Sequence, residues 1–307
     1  MRGGPEDSVG APSSLSAKRG GTMRRANAAR ALPAQTSARA DATFVTHVTW
    51  ALERTAGMVS QVRPELVLAD SGLPCDTFNF VCRARLDGAT VREAVQQAVS
   101  HFARVRRPFS WWVGPADRPK DLGAVLERVG LERAETELAM ALPLEALPDA
   151  SQVAGLEVRR VRTQAQLDAL AEIAAANWSP PDPHVLMFYR RTAAVLLSAG
   201  APQWFYVGYL HGEPVATAEA TVHGETVGLF NIATRAAFRG RGIGSMLTWQ
   251  PLRDAKAAGC DLAVLQAASA GVGLYHRLGF VTFGEITEYK PRSIAEAAEP
   301  AHAADRL

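Results

Sequence analysis

Six residues constrain this chain more than any others: Arg239-Gly240-Arg241-Gly242-Ile243-Gly244. They follow an apolar, partly β-branched run over 227–234 that reads as a strand. They lead into Ser245-Met246-Leu247, where a helical pattern opens. A strand, a glycine turn and a helix start aim unpaired backbone N–H groups at an anion. Glycines let the backbone close on a phosphate where a Cβ would clash or forbid a positive φ. The helix start adds roughly half a positive charge, and Arg239 and Arg241 add whole ones. A phosphorylated ligand is expected. The spacing is neither the Gly-x-x-x-x-Gly-Lys-Ser/Thr of a nucleoside-triphosphate loop nor the Gly-x-Gly-x-x-Gly of a dinucleotide fold.

Arg239-x-x-Gly242-x-Gly244 resembles the pyrophosphate-binding motif of the GNAT superfamily of acyl-CoA N-acyltransferases. A second block, Leu274-Tyr275-His276-Arg277-Leu278-Gly279-Phe280, looks like that family's Leu-Tyr-x-x-x-Gly-Phe segment. The resemblance covers about residues 155–291. It implies acetyl-CoA as donor, its pyrophosphate held by Arg239, Gly240, Arg241, Gly242, Ile243, Gly244 and Ser245. In the family the strand before the turn bulges and splays from its neighbour, and the pantetheine arm enters between them. By position, Ile232, Ala233 and Thr234 line that slot, where a freed N–H would hold the carbonyl oxygen. Tyr275 is the implied general acid for the departing thiolate; the alternative is a hydrogen bond without proton transfer. The family often places Asn or Ser seven residues before the tyrosine. Here that position is Ala268, and Ser269, one further on, is the nearest substitute.

The base is sought among the carboxylates. Glu219 sits inside a core strand, where an acid is unusual unless functional; a solvent-facing residue on an alternating strand is the bland alternative. His223 and Glu225 at the next turn read as exposed. Asp182 and Trp178, in the Pro-rich loop over 177–183, would meet a cationic substrate or form a plain rigid loop.

The net charge of +2 is unevenly spread. Residues 1–40 hold seven Arg and Lys against two acids, so they carry +5 and the remainder carries −3. A nucleic-acid-binding body has no support, and only the tail stays open to an anionic surface. The tail lacks periodicity and reads as disordered. It lacks the apolar core of a signal peptide; a transit-like leader is conceivable, and an extended start with Met23 as initiator is preferred. Cys75, Cys82 and Cys260 form no Cys-x-x-Cys, which suits a reducing cytoplasm. The histidines show no ligand spacing, so no metal is expected. No long uncharged apolar run predicts a membrane span.

The pattern strand–helix–strand–helix–Gly–strand occurs twice. Its first copy takes a strand over 77–86, a helix over 91–105, a strand over 109–113, a helix over 122–129 closed by Gly130, and a strand over 137–142. The second takes 227–234, 243–258, 262–267, 270–278 closed by Gly279, and 281–289. Residues 41–69 are compatible with one helix, and 143–154 with a linker. A repeat of this length is a duplicated domain rather than a solenoid period. The first copy has Arg85-Leu86-Asp87-Gly88-Ala89-Thr90 where the second has its glycine turn, and Leu126 where the second has Tyr275.

The expected fold is α/β (α+β): two GNAT-like domains, each a mixed, mainly antiparallel sheet flanked by helices. The division is a tail over 1–40, a degenerate GNAT-like domain over 41–147, a catalytic domain over 155–292 and a C-terminal tail over 293–307. The expected activity is acetyl transfer from acetyl-CoA to a small-molecule or peptide amine. A non-catalytic acyl-CoA-binding protein is the alternative. The oligomeric state is open, with a monomer consistent with tandem halves.

Overall fold

Apolar alternation, broken by His211-Gly212 and then by Gly224, folds residues 203–234 as an antiparallel meander: β7 (Gln203–Leu210), β8 (Glu213–His223) and β9 (Thr226–Thr234). His211 and Gly212 both have positive φ, 51° and 87°, the pair of conformations that matches a two-residue turn to the twist of its strands. β6 (Leu156–Arg160) adds to the β7 edge. Helices α4 (Gln164–Ala175) and α5 (Pro183–Leu196) cover one face. Thr163 and Gln166 start α4 as a reciprocal capping box, and Asp182 caps α5 with Pro183 at its first position. Beyond the glycine turn come α6 (Ile243–Ala257), β10 (Leu262–Ala267), α7 (Val272–Arg277) and β11 (Val281–Pro291).

The earlier half repeats this order. It has β1 (Val59–Val62), β2 (Val67–Asp70), β3 (Asn79–Cys82), α2 (Val91–Val105), β4 (Ser110–Val113), α3 (Leu122–Arg128) and β5 (Leu131–Pro143). The expected class, a mixed and mostly antiparallel sheet flanked by helices, is what the chain adopts. The computed structural model describes residues 32–33, 35–149 and 152–292. Of the tail expected over 1–40, residues 1–31 and 34 lie outside the described residues, as does the whole tail expected over 293–307.

The two halves share one eleven-stranded sheet, in the order β1-β2-β3-β4-β11-β5-β10-β9-β8-β7-β6. Their last strands are exchanged. β10 pairs on one side with β9 of its own half and on the other with β5 of the earlier half. β4 pairs with β11 of the later half. At the centre β5 and β11 run antiparallel from Leu131 opposite Pro291 to Ala141 opposite Val281. β5 reaches Ala267, at the far end of β10, through Leu138.

Several boundaries differ from the sequence reading. No single helix spans 41–69. A helix α1 (Thr36–Thr49) begins inside the expected tail, and β1 and β2 follow it. Pro64 denies a helix its N–H, Gly57 takes a positive φ of 78°, and the valines flanking them suit strands. The strand expected over 77–86 shrinks to Asn79–Cys82, because Asp76–Phe78 forms a 3-10 turn and Arg83 has φ 53°. The linker expected over 143–154 is docked at its start. Leu144 is fully buried in the later half's core and its N–H donates to Asp261 O at 2.7 Å.

Helix α1 lies mainly on the later half's hairpin, while Val48 packs among Val67, Ala69 and Cys82 of its own half. Arg39 Nε donates to Thr226 Oγ1 at 2.8 Å, and the same guanidinium pairs with Asp261. Thr46 bonds His223 Nδ1 at 2.8 Å, and His47 Nδ1 bonds Thr221 at 3.1 Å. The His47 ring stacks on Phe230 at 3.8 Å.

Candidate active site

The glycine turn ends where α6 begins. Gly240 and Gly242 have φ 74° and 80°, the left-handed region that a side chain strains to enter. A Cβ on Gly242 would also meet Val153 Cγ2 at 3.3 Å, and one on Gly244 would meet Leu274 Cδ1 at 3.4 Å. The first bond of α6 runs from Met246 N to Gly242 O. The amides of Ile243, Gly244 and Ser245 therefore have no helical acceptor. Arg239 and Arg241 are exposed beside them. Arg239 Nε is held by Thr234 O at 3.0 Å, and an Arg241 terminal nitrogen by Ala237 O at 3.2 Å. Among the described residues this is a cationic, donor-rich turn whose chemistry suits a diphosphate. Pro251 is accommodated inside α6, two turns beyond it.

Beside the turn the sheet opens. β9 and β10 pair in parallel from Thr226 opposite Leu262 to Leu229 opposite Leu265, and no further. Past that point Phe230–Thr234 and Gln266–Ala267 diverge. On its other edge β9 carries a bulge: Ala233 faces Thr217 and Phe230 faces Glu219, so one extra residue stands on β9. Asn231 in this bulge has φ 49°, a conformation that Asn tolerates better than most. Ile232, Ala233 and Thr234 are half-buried along the gap. Their edge toward β10 is unpaired, so backbone groups there are free for a ligand.

Tyr275 stands on α7, edge-on to Phe280 at 5.9 Å between ring centres. Burial, and then the charge of Glu137, push its phenol up to about 12. Glu137 comes from β5, so the exchanged strand carries a carboxylate of the earlier half up to the later half's tyrosine. The shift changes what Tyr275 can do. Handing a proton to a thiolate whose thiol has a pKa of about 8.5 is uphill by several kcal/mol. Tyr275 therefore holds its proton more tightly than an ordinary phenol, and its hydroxyl is a hydrogen-bond donor at neutral pH.

Glu219 is not solvent-facing: it is 3% exposed. Two donors converge on its Oε1, Asn231 Nδ2 at 3.0 Å and the Tyr189 hydroxyl from α5. Burial pushes its carboxyl up to about 7, against the lowering effect of those two bonds. A carboxylate poised near neutrality, one residue from the bulge, has the properties of a general base. Asn231, Tyr189 and Glu137 escaped the sequence reading. Asn231 alone left a signal, a polar residue inside an apolar strand.

A cavity of about 1010 Å³ opens beside the gap, with Phe230, Asn231 and Gln266 on one side and Phe109, Glu135 and Glu137 on another. A smaller cavity of about 100 Å³ lies behind Glu219 and shares His47, Phe80, Trp178 and Asn231 with the larger one. The other candidates fall elsewhere. Ser269 is exposed in the turn after β10. His223 and Glu225 hold α1, the latter through its carbonyl to Arg39. Asp182 caps α5 through His184 N at 2.8 Å. Trp178 lines both cavities.

The matching segment of the earlier half is built differently. Asp87 Oδ1 accepts from Thr90 N at 2.8 Å, Ala89 N at 3.0 Å and Thr90 Oγ1 at 2.9 Å, where α2 begins. Asp87 thus turns the backbone into α2 through amides that precede the helix. Arg85 is engaged by Asp41 and Asp117.

Residues 167–280, which span β7 to β10, the glycine turn and Tyr275, match the Acetyltransferase (GNAT) family. The later half carries a GNAT acetyltransferase domain. Acyl transfer from acyl-CoA is the chemistry of that family. Solved structures share the fold across both halves of the chain. A GCN5-related N-acetyltransferase from Kribbella flavida aligns at 20% identity with a TM-score of 0.65, covering 84% of this chain and 97% of that one. One from Sphaerobacter thermophilus aligns at 16% identity and 0.55, covering 86% and 95%. A tandem GNAT protein from the clavulanic acid biosynthesis pathway aligns at 15% and 0.53, covering 73% and 77%. At these identities the likeness is one of fold. No curated protein sequence matches the chain. Among the described residues no helix is long and apolar enough to cross a membrane, and no cluster of His, Cys, Asp and Glu is suited to a metal.

Proposed function

We propose that this protein is an N-acetyltransferase that moves the acetyl group of acetyl-CoA to an amine by direct attack, with its later half as the working one. The observation that carries this reading is the gap between β9 and β10, which joins the open helix start at 242–245 to a buried carboxylate poised near neutrality. The amides of Ile243, Gly244 and Ser245, with Arg239 and Arg241, hold the pyrophosphate. Ile232, Ala233 and Thr234 flank the acyl arm, and a backbone N–H freed by the bulge receives the carbonyl oxygen as it gains charge.

Glu219 takes the proton that the amine nitrogen loses as the C–N bond forms. It is competent only when ionised, so turnover rises with pH through about 7. The C–S bond breaks, and the Tyr275 hydroxyl donates a hydrogen bond to the sulfur that leaves with the electron pair. Asn231 and Tyr189 hold Glu219 in position. The earlier half keeps the strand and helix order of the later one and lacks its glycine turn. Buried free thiols at Cys75, Cys82 and Cys260 fit a reducing cytoplasm.

The test is release of free thiol from acetyl-CoA by the full chain across a panel of amines, with acetyl-CoA affinity measured in parallel. Amine-dependent release supports the reading. Tight binding with no release from any amine would instead make this an acyl-CoA-binding regulatory protein.

A further inference from the structure

The small cavity behind Glu219 has mainly aromatic walls. Phe78 and Phe188 stack at 3.8 Å, and Tyr189 meets Phe78 and Phe205 edge-on. Two of its lining residues, Glu219 and Gln203, carry side-chain oxygens that no donor among the described residues reaches. Both donors to Glu219 fall on Oε1, which leaves Oε2 without a partner among the described residues. The second is Gln203 Oε1. Gln203 lies on β7 opposite Thr221, while Phe205 lies opposite Glu219, so Gln203 and Glu219 are diagonal neighbours on one face of the sheet.

Gln203 is 7% exposed, and its Nε2 donates to His47 O at 3.0 Å. A carbonyl only accepts, so that bond fixes which end of the amide is which. No donor among the described residues reaches Oε1. A buried amide oxygen in that condition carries a desolvation penalty that an incoming N–H or O–H relieves.

We propose that the acceptor is a short bifunctional amine, a diamine or amino alcohol, whose second N–H or O–H donates to Gln203 Oε1 while its reacting nitrogen sits at Glu219. This rests on the N-acetyltransferase reading above. Diagonal partners across an antiparallel pair stand about 7–8 Å apart at the backbone and somewhat less at Cβ, a distance bridged by a few carbons. The volume agrees. A cavity of about 150 Å³ holds benzene, so one of about 100 Å³ takes a chain of a few heavy atoms. The aromatic walls suit the methylenes and, in a diamine, the distal cation.

The experiment compares propylamine, 3-aminopropanol and 1,3-diaminopropane as acceptors for the full chain with acetyl-CoA. The wild type is expected to favour the two bifunctional amines over propylamine by at least ~10-fold in kcat/KM, since a site built around a hydrogen bond rejects the analogue lacking it. Gln203→Met keeps the length and removes the oxygen. It is expected to bring all three to the propylamine level, with propylamine itself changed less than about threefold. A wild type that treats the three alike overturns the proposal without any variant. So does a Gln203→Met protein that loses all three in equal measure. If no amine releases thiol, the enzyme reading has failed, and the proposal is read from calorimetric binding of the same amines with acetyl-CoA present. Tighter binding of the bifunctional pair, lost in Gln203→Met, upholds the pocket; equal affinities overturn it.

Discussion

Replacing Glu219 by Gln separates the energetic cost of this site from its use. The amide keeps the length of the side chain and leaves an oxygen for Tyr189 and Asn231 to donate to. The carboxyl moves from an ordinary 4.5 to about 7 in the folded protein, with burial as the cause. A group whose folded pKa is raised binds its proton more tightly when folded. Its contribution is fully present below the unfolded pKa and is lost as pH climbs through the folded one. The displacement is worth about 3 kcal/mol at 1.36 kcal/mol per pH unit. Gln does not titrate, so the variant escapes that loss.

Urea denaturation of both proteins at pH 5 and pH 9 reads the effect. The stability of Glu219→Gln relative to wild type should rise by about 3 kcal/mol between those two pH values, or roughly 6 °C in melting temperature for a unit of this size. Activity should move the other way, with kcat/KM at least ~100-fold lower through loss of the base. A stability difference independent of pH would refute the reasoning, because it would mean that Glu219 is ionised as readily in the fold as in water.

Other outcomes follow from the same geometry. Gly242→Ala places a Cβ at φ 80° and 3.3 Å from Val153; left-handed strain of about 1–2 kcal/mol should weaken acetyl-CoA binding about tenfold by calorimetry, and unchanged affinity would remove the cradle from the site. Tyr275→Phe should lower kcat by about 100–1000-fold, the worth of one donor to developing charge, with acetyl-CoA affinity preserved; an equal loss in both would assign the tyrosine to binding. Residues 155–292 expressed alone lack β5, which leaves β10 with an open edge and β11 without its longest partner. That fragment should show no cooperative thermal transition, and a sharp melt that shifts with acetyl-CoA would contradict the shared sheet.

The elements that declare themselves locally were legible in the sequence. Apolar alternation with His211-Gly212 marked the meander. The spacing of Val91, Val95, Ala98 and Phe102 marked α2, and all four are buried. The glycine turn announced its own geometry, since only that residue type enters those φ values cheaply. Pairing between distant strands has no such signal. β5 and β11 read as terminal strands of separate sheets, because a strand's alternation says which face is buried and nothing about which neighbour it bonds. The same limit hid much of the site. Glu219 stood out as an acid in a core strand. Its partner Tyr189 comes from a helix thirty residues earlier, and Glu137 from the opposite half. α1 was misjudged at its start because Thr36 to Ala40 continue the Ala- and Arg-rich composition of the tail. The contacts that fix them, Arg39 to Thr226 and Asp261, span more than 180 residues.

The central seam also bears on how ligands enter. With each half's last strand clasped between two strands of the other, the halves cannot swing about the segment that joins them without breaking both sides of the clasp at once. The mouth between β9 and β10 is thereby denied the hinge-bending by which many two-lobed proteins admit their ligands. Entry is left to side-chain rotation and to the short turn at 268–271, so an acceptor is selected by the shape the cavity already has.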